Sequence, residues 1–227
     1  MPLLEVSGLK KTFIAPDGLN HLVIDVPQFS VEKEAQIGLQ GESGLGKTTL
    51  LHLIAGILKP DAGSIRLDGA EVSSLSESDR DRLRSTHIGY IFQTFNLLPA
   101  FTCLENLLVA MSFGPGAKRE RAEALLGRVG LSGRLHHYPR QLSTGQQQRV
   151  AVARALANGP KLVLADEPTG NLDHVNAREV LQLIRDTCAE NKAALLLVSH
   201  DRDALSRFET VIELSQINRA RMQGVPA

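Results

Sequence analysis

The sequence predicts an α/β fold in which a mostly parallel sheet is covered on both sides by helices. Short apolar segments typical of buried strands alternate with longer segments of helical periodicity, the order expected when crossover helices join parallel strands. The longest apolar run, Ala193 to Val198, fits a strand buried on both faces. A glycine-rich loop at residues 41–48, between a predicted strand and a predicted helix, is the third indication.

The first part of the chain is predicted to be mainly β-structure around one buried helix. Two β-rich segments flank the turn-forming Pro16-Asp17-Gly18, and Asp68-Gly69 between two short apolar segments predicts a hairpin. In chain order, the predicted elements are strands at Leu3–Val6, Leu22–Val26 and Ile37–Leu39, an apolar helix at Lys47–Leu58, hairpin strands at Ile65–Leu67 and Ala70–Val72, and a strand at Ile88–Phe92.

The second part of the chain begins with a stretch of different character, predicted to be a helical insertion at about residues 99–141 within one domain spanning residues 1–227. Leu104, Leu107 and Met111 recur at helical spacing, and a charged helix is predicted at Lys118–Val129 after a Gly-Pro-Gly break. The remaining predicted elements are a helix at Gln146–Asn158, a strand at Leu162–Ala165, a helix at Ala177–Glu190 and a strand at Leu195–Ser199.

Composition excludes several classes of protein. The chain has 227 residues, of which 43% are hydrophobic, enough for a substantial core. Its 25 basic and 25 acidic residues balance, whereas a nucleic-acid-binding surface calls for a basic excess. We expect no membrane span, because no apolar run reaches about 18 residues. The start of the chain lacks the pattern of a signal peptide, and two cysteines without metal-ligand spacing favour a reducing cytoplasm.

The glycine-rich loop carries a phosphate-binding motif. Gly41-Glu42-Ser43-Gly44-Leu45-Gly46-Lys47-Thr48 matches G-x-x-x-x-G-K-[ST] between a predicted strand and a predicted helix, the context that this motif requires. Glycines let backbone N–H groups point at phosphate oxygens, and the helix adds the positive end of its dipole. Lys47 is expected to reach the outer phosphates. The Thr48 hydroxyl is expected to bind Mg²⁺, and Thr49 to lie near the α-phosphate.

Two carboxylates follow the predicted strand at Leu162–Ala165. Asp166 is expected to hold Mg²⁺, and Glu167, one residue nearer the γ-phosphate, to polarise the attacking water as a general base. His200 ends the next predicted strand. Because ligands bind at the carboxyl ends of parallel strands, we expect all three side chains beside the phosphates.

A further motif distinguishes among phosphate-loop proteins. Leu142-Ser143-Thr144-Gly145-Gln146 resembles the L-S-G-G-Q signature of ABC-type ATPases. Gln93 resembles the Q-loop glutamine, the segment from Asp166 to Asp173 resembles the Walker B motif followed by the D-loop, and His200 resembles the switch histidine. Phe13 lies where the family places an aromatic that stacks on adenine. These motifs occur in the family's order from about Leu3 to Glu213.

Within the family, the chain looks most similar to the ATPases of lipoprotein-release and macrolide-export systems, and next to the cell-division ABC ATPase that drives a related permease. The segments around Asn171 and from Phe95 to Pro99 carry this similarity. Three departures concern the signature, the adenine-stacking residue and the tail. Thr144 replaces one glycine of the Gly-Gly pair, Phe13 lacks the hydroxyl of the usual Tyr, and the residues after Leu214 lack the usual Asp-Gly turn followed by a basic residue.

The resemblance implies a P-loop NTPase core with a mostly parallel sheet, an N-terminal antiparallel β subdomain and a helical subdomain carrying the signature. It implies an ATPase that uses ATP and Mg²⁺, with Thr48, Gln93 and Asp166 as metal ligands. Phe13 and residues 41–49 would bind ATP, and Glu167, His200 and Gln93 would serve catalysis.

The resemblance also implies partners. Ser143, Thr144, Gly145 and Gln146 would contact ATP bound to a partner subunit, and Asp173 would cross that interface. The functional form would be a homodimer, or a pair with another ATPase subunit. The pair would act on a separate integral membrane permease docked at residues 99–141, with Phe95, Leu97 and Leu98 beside the dock. The chain would then be cytoplasmic, peripheral on the inner face of the cell membrane, and would not bind nucleic acid.

Two other functions are compatible with a phosphate loop. One is an ABC ATPase acting on nucleic acid or ribosomes, although the stretch from Thr48 to Leu142 has no long heptad run and the chain has a single cassette. The other is a kinase of similar length, in which the signature would have no role.

Overall fold

The computed structural model describes residues 1–15, 18–42 and 44–220. The strands are β1 (Leu4–Ile14), β2 (Asn20–Val31), β3 (Gln36–Gln40), β4 (Ala62–Leu67), β5 (Ala70–Glu71), β6 (Ile88–Ile91), β7 (Leu162–Asp166), β8 (Ala194–Ser199) and β9 (Thr210–Glu213). The helices are α1 (Lys47–Ile54), α2 (Glu77–His87), α3 (Cys103–Ser112), α4 (Arg119–Arg128), α5 (Thr144–Ala155), α6 (His174–Glu190), α7 (Arg202–Leu205) and α8 (Leu214–Ile217).

The strands form two sheets, and the predicted α/β class with an N-terminal antiparallel part is confirmed. One sheet has the antiparallel order β2-β1-β4-β5. The other has the parallel order β6-β7-β8-β3-β9. All residues of β7 and β8 are buried, which explains their continuous apolar sequence.

Two apolar clusters lie on opposite faces of the parallel sheet. One joins the antiparallel sheet and α1 to side chains such as Leu164 and Leu196. The other packs α3, α4, α5 and α6 against side chains such as Val163 and Leu195. Alternate residues of β7 and β8 therefore belong to different clusters. Helix α1 follows β3 directly, so the phosphate-binding motif lies where strand and helix meet.

The stretch predicted as a helical insertion contains α3 and α4 and short 3-10 turns at Ser132–Arg134 and Pro139–Gln141. Thr102 and Glu105 form a reciprocal capping box at the start of α3. The Asn106 side chain donates to the Leu98 and Phe101 carbonyls at 3.2 and 3.0 Å and so fixes the preceding loop. No helix among the described residues has the length and apolar character needed to cross a membrane.

Several element boundaries differ from the sequence prediction for identifiable reasons. Helix α1 ends at Ile54 rather than Leu58, because Gly56 takes a left-handed conformation with φ 66°. Helix α5 starts at Thr144 rather than Gln146 and ends at Ala155 rather than Asn158. Helix α2 was not predicted, because none of its residues is buried and its sequence shows no apolar stripe. The four-residue edge strand β9 was also not predicted.

Candidate active site

The carboxyl ends of strands in the parallel sheet surround a cavity of about 300 Å³. Nine of the predicted site residues line it together with Val23: Gly44, Gly46, Lys47, Thr48, Thr49, Gln93, Asp166, Glu167 and His200. The loops after β3, β6, β7 and β8 thus meet at one edge of the sheet. This is the edge at which open parallel sheets bind their ligands.

The phosphate-binding motif closes one side of this cavity. Gly44 and Gly46 have φ values of 86° and 88°, and Gly46 is the left-handed residue immediately before α1. A Cβ on Gly46 would lie only 3.0 Å from side-chain atoms of Val23 and Ile24, so glycine is required both by conformation and by space. Gly41, Glu42 and Leu45 line a neighbouring cavity instead, and Ser43 lies outside the described residues.

Lys47 and Glu167 form a buried ion pair. The Lys47 Nζ lies 2.8 Å from Glu167 Oε1, with 7% and 9% of the two side chains exposed. Lys47 Nζ also donates to the Gly41 carbonyl at 2.6 Å. The ammonium group is therefore held at the mouth of the loop by two oxygens, where a phosphate oxygen can replace one of them.

Glu167 is held from three directions. His200 Nδ1 lies 2.8 Å from its Oε1, and the Ser199 hydroxyl donates to its Oε2 at 3.1 Å. Burial acts to raise the pKa of Glu167, but hydrogen bonds from Lys47 and His200 outweigh burial and keep the pKa below its ordinary value. Glu167 also has φ 44°, a conformation rare for a residue with a side chain and common at functional sites.

Asp166 differs from Glu167 in its electrostatics. Burial raises the pKa of Asp166, the Glu167 charge adds to this effect, and a hydrogen bond from the Thr48 hydroxyl opposes it. A hydroxyl and a carboxylate side by side at a phosphate loop are oxygen donors of the kind that Mg²⁺ prefers. These residues therefore fit a bound Mg²⁺, which would also stabilise the ionised form of Asp166.

The signature residues do not line the cavity. Ser143 is the N-cap of α5, since its hydroxyl accepts from Gln146 N at 3.3 Å while Gln146 Oε1 accepts from Ser143 N at 3.1 Å. Thr144 is therefore the first helical residue of α5 rather than its cap. The capping box pairs the N–H groups of Ser143 and Gln146, which leaves those of Thr144 and Gly145 facing the end of the helix.

Asp173 and Phe13 also lie outside the cavity. Asp173 caps α6 by accepting from Val175 N and Asn176 N at 3.1 and 3.0 Å. Phe13, on β1, is 39% exposed, and the Lys11 ammonium lies 5.6 Å from the centre of its ring. An exposed ring next to the cavity-lining strand β2 is available for stacking on a planar group.

Comparison with known proteins identifies the family. The ABC transporter family model matches residues 24–170, more than half of the chain. The chain belongs to the ABC transporter family. As a member of this family, it is an ATP-binding and ATP-hydrolysing subunit. This ABC ATPase is 42% identical over 196 residues to the lipoprotein-releasing system ATP-binding protein LolD of Pseudomonas syringae, covering 85% of the chain and 86% of the relative.

Other relatives differ in length. The ABC ATPase is 40% identical to LolD 2 of Caulobacter vibrioides, covering 94% of both chains. It is also 40% identical to the macrolide export ATP-binding/permease protein MacB of Rhodopirellula baltica, covering 93% of this chain but only 32% of that protein. A dimeric post-hydrolysis structure of the ATP-binding cassette MJ0796 with ADP and Pi matches with a TM-score of 0.84 at 32% identity, covering 92% and 93% of the two chains.

The structure also brings residues to the site that sequence reasoning missed. Ser199 precedes the predicted His200 but was not assigned a role, although its hydroxyl holds the Glu167 carboxylate. Val23 lines the cavity from β2 and carries no motif. Asn171, noted only for subgroup similarity, donates to the Gln93 carbonyl at 2.7 Å. A side chain that supports a site residue from a neighbouring loop leaves no signal in local spacing.

Proposed function

We propose that two copies of this ABC ATPase bind two ATP molecules and Mg²⁺ between them, and that ATP-driven closure acts on a separate integral membrane permease. The proposed dimer rests on one observation: the residues expected to contact ATP lie at two separate places on the chain. The cavity holds the groups expected for binding phosphate and activating water, whereas Ser143 and Gly145 lie elsewhere at the start of α5. A helix N-terminus binds anions, so it has a role if it meets the γ-phosphate held by a partner.

In this proposal, each residue at the cavity has a distinct task. The Lys47 ammonium exchanges its contact with Glu167 for a phosphate oxygen. Glu167 accepts a proton from the attacking water, and His200 and Ser199 orient its carboxylate. Thr48, Asp166 and Gln93 hold Mg²⁺, which supplies charge stabilisation of the phosphates. Phe13 stacks on adenine, and Gly41, Glu42, Ser43, Leu45 and Thr49 complete the ATP-binding segment.

Contacts around Gln93 support coupling between this site and a permease. Asn171 holds the Gln93 carbonyl, and Arg154 of α5 donates to the carbonyls of Phe95 and Asn96. Both Phe95 and Asn96 have left-handed backbones. Arg154 thus ties the segment after Gln93 to α5, the helix that starts at the signature. In this proposal, movement of that segment is transmitted to α5.

We place the permease dock at a groove beside this segment. The groove, of about 600 Å³, lies between α2, β6 and the end of α3, with Phe113 73% exposed on its wall. Of the apolar residues expected at the dock, Leu97 packs against the helical core, whereas Leu98 remains 39% exposed. The named functions of the LolD and MacB relatives favour lipoprotein release or export as the process driven, at the inner face of the cell membrane.

Complementation tests the shared site. Glu167→Gln and Ser143→Ala should each abolish most ATP hydrolysis when the protein is pure. In a mixed dimer, one site combines the intact Glu167 of one copy with the intact Ser143 of the other. Mixing the two inactive variants should therefore restore part of the activity. A mixture that stays inactive while both variants bind ATP would contradict the shared site.

Co-purification tests the partner. The native protein, captured from detergent-solubilised membranes with ATP, should carry an integral membrane permease. The native protein is compared with Phe113→Ser, a variant at the groove. This variant should no longer co-purify with the permease but should retain ATP hydrolysis. Recovery of ribosomes or nucleic acid instead would support the alternative class of ABC ATPase.

A further inference from the structure

The segment after β9 packs behind the phosphate loop. Helix α8 buries Leu214 and ends at Ile217, and Asn218 is its C-cap. Residues 214–220 lie against β2. This is also the part of the sequence that departs from the family pattern by lacking an Asp-Gly turn. None of the motifs that carry the family resemblance lies in this segment, because those motifs end at about Glu213.

The side-chain amide of half-buried Asn218 uses its full hydrogen-bonding capacity. Its Oδ1 accepts from Asp25 N at 2.8 Å and from Ala220 N at 3.2 Å. Its Nδ2 donates to Val23 O at 2.9 Å and to Leu45 O at 3.3 Å. Two donors and two accepted bonds are all that an amide can readily make inside a protein. The position of this side chain is therefore strongly fixed.

The two carbonyls to which Asn218 donates belong to Leu45 and Val23, residues next to the expected phosphates. Leu45 lies within the phosphate loop immediately before Gly46, and Val23 lines the phosphate cavity. Val23 also packs tightly on Gly46, since a Cβ there would lie 3.1 Å from Val23 O. One NH₂ group therefore links the loop to the strand against which the loop is packed.

We propose that Asn218 is a positioning residue for nucleotide binding, tying Leu45 of the phosphate loop to β2 and holding the loop in the conformation that accepts phosphates. The inference rests on ATP binding at this loop. Without the tie, the loop samples other conformations, and part of the binding free energy is spent on ordering it. Affinity for nucleotide should fall, while hydrolysis of ATP once bound should not.

The first test compares Asn218→Ala with a matched control. Calorimetric titration with ADP and MgCl₂ should show a Kd raised at least about fivefold, the size expected for losing two hydrogen bonds. The kcat for ATP at saturation should stay within about twofold of wild type. Asn191→Ala is the control, because that half-buried amide donates to Thr187 O at 2.8 Å beyond the amino end of β8, far from the site.

Thermal stability separates positioning from general weakening. Both variants should lose some stability, but only Asn218→Ala should lose affinity for ADP. An ADP Kd for Asn218→Ala equal to that of wild type and of Asn191→Ala would overturn the proposal, because the amide would then serve folding alone.

A second test needs no variant. Coupling between two sites is reciprocal, so nucleotide that orders the loop must also stabilise residues 214–220. Adding ADP and MgCl₂ to the wild-type protein should slow hydrogen exchange at the amides of Asn218 and Arg219, which donate to Leu214 O and Asp25 O, both at 2.8 Å. Protection confined to the phosphate loop would overturn the proposal. Absence of protection at both places would contradict nucleotide binding at this loop, and with it the proposed function.

Discussion

Replacing Glu167 by glutamine isolates the chemistry of the carboxylate from its structural role. The amide has nearly the same shape and still offers an oxygen to Lys47, which also keeps its 2.6 Å bond to the Gly41 carbonyl. The Ser199 hydroxyl, 3.1 Å from Oε2, can reverse its role and accept from the new NH₂ group. The variant should therefore fold, and nucleotide should still bind.

The loss of activity follows from what the carboxylate does. General-base catalysis contributes about 10²- to 10⁴-fold, and its efficiency is highest when the base has a pKa near the working pH. The pKa of Glu167 lies below its ordinary value, so the carboxylate is ionised at neutral pH but is a weaker base than an ordinary glutamate. We expect turnover to fall by about 10²-fold or more, equivalent to about 2.7 kcal/mol in the barrier.

The assay measures phosphate release at saturating ATP and MgCl₂, with ATP binding measured in parallel by calorimetry. Glu123→Gln is the matched control, because this carboxylate, with 38% of its side chain exposed, pairs with Arg119 on the surface of α4. The control should keep wild-type turnover. If Glu167→Gln kept turnover within about tenfold of wild type while binding ATP normally, the general-base assignment would be refuted.

Four other substitutions have defined outcomes. Lys47→Ala should weaken ATP binding itself, because it removes the ammonium charge held at the mouth of the loop; unchanged affinity by calorimetry would contradict this. Thr144→Gly should change the ATPase rate by less than about tenfold, because Thr144 is the first residue of α5 and its backbone needs no glycine. Gly145→Asp should be far worse in the same assay, because it adds a carboxylate beside the expected γ-phosphate. Asp166→Asn should raise the Tm at pH 7, because the raised pKa of Asp166 means that its ionised form destabilises the fold. That gain should shrink as the pH falls towards the ordinary value of 3.8, where the aspartic acid is neutral, and a gain independent of pH in calorimetric scans would contradict the pKa direction.

The order of strands and helices could largely be predicted from sequence, because apolar periodicity reports burial. Strands β7 and β8 are buried throughout and appear as unbroken apolar runs. Helix α2 has one apolar side chain, Leu83, and therefore shows no apolar stripe, although Ser76 caps it by accepting from Asp79 N. Periodicity also placed the end of α1 at Leu58, whereas the left-handed backbone of Gly56 ends the helix at Ile54.

Those residues of the site that belong to sequence motifs could be predicted. Local spacing identifies Lys47, Thr48 and the adjacent carboxylates, because each serves chemistry that demands its residue type. The contact between Lys47 and Glu167 joins residues distant in sequence and depends on how β3 and β7 lie in one sheet. The ties made by Ser199 and Asn218 depend on tertiary packing in the same way, and no spacing rule could have found them.

The central claim is that ATP holds two copies of the chain together. Light scattering on Glu167→Gln with ATP and MgCl₂ measures this directly, since the variant should bind ATP without consuming it. We expect a species of twice the 24.6 kDa chain mass that reverts to one chain when ATP is removed. A single-chain mass under conditions in which calorimetry shows ATP bound would show that ATP does not hold two copies together.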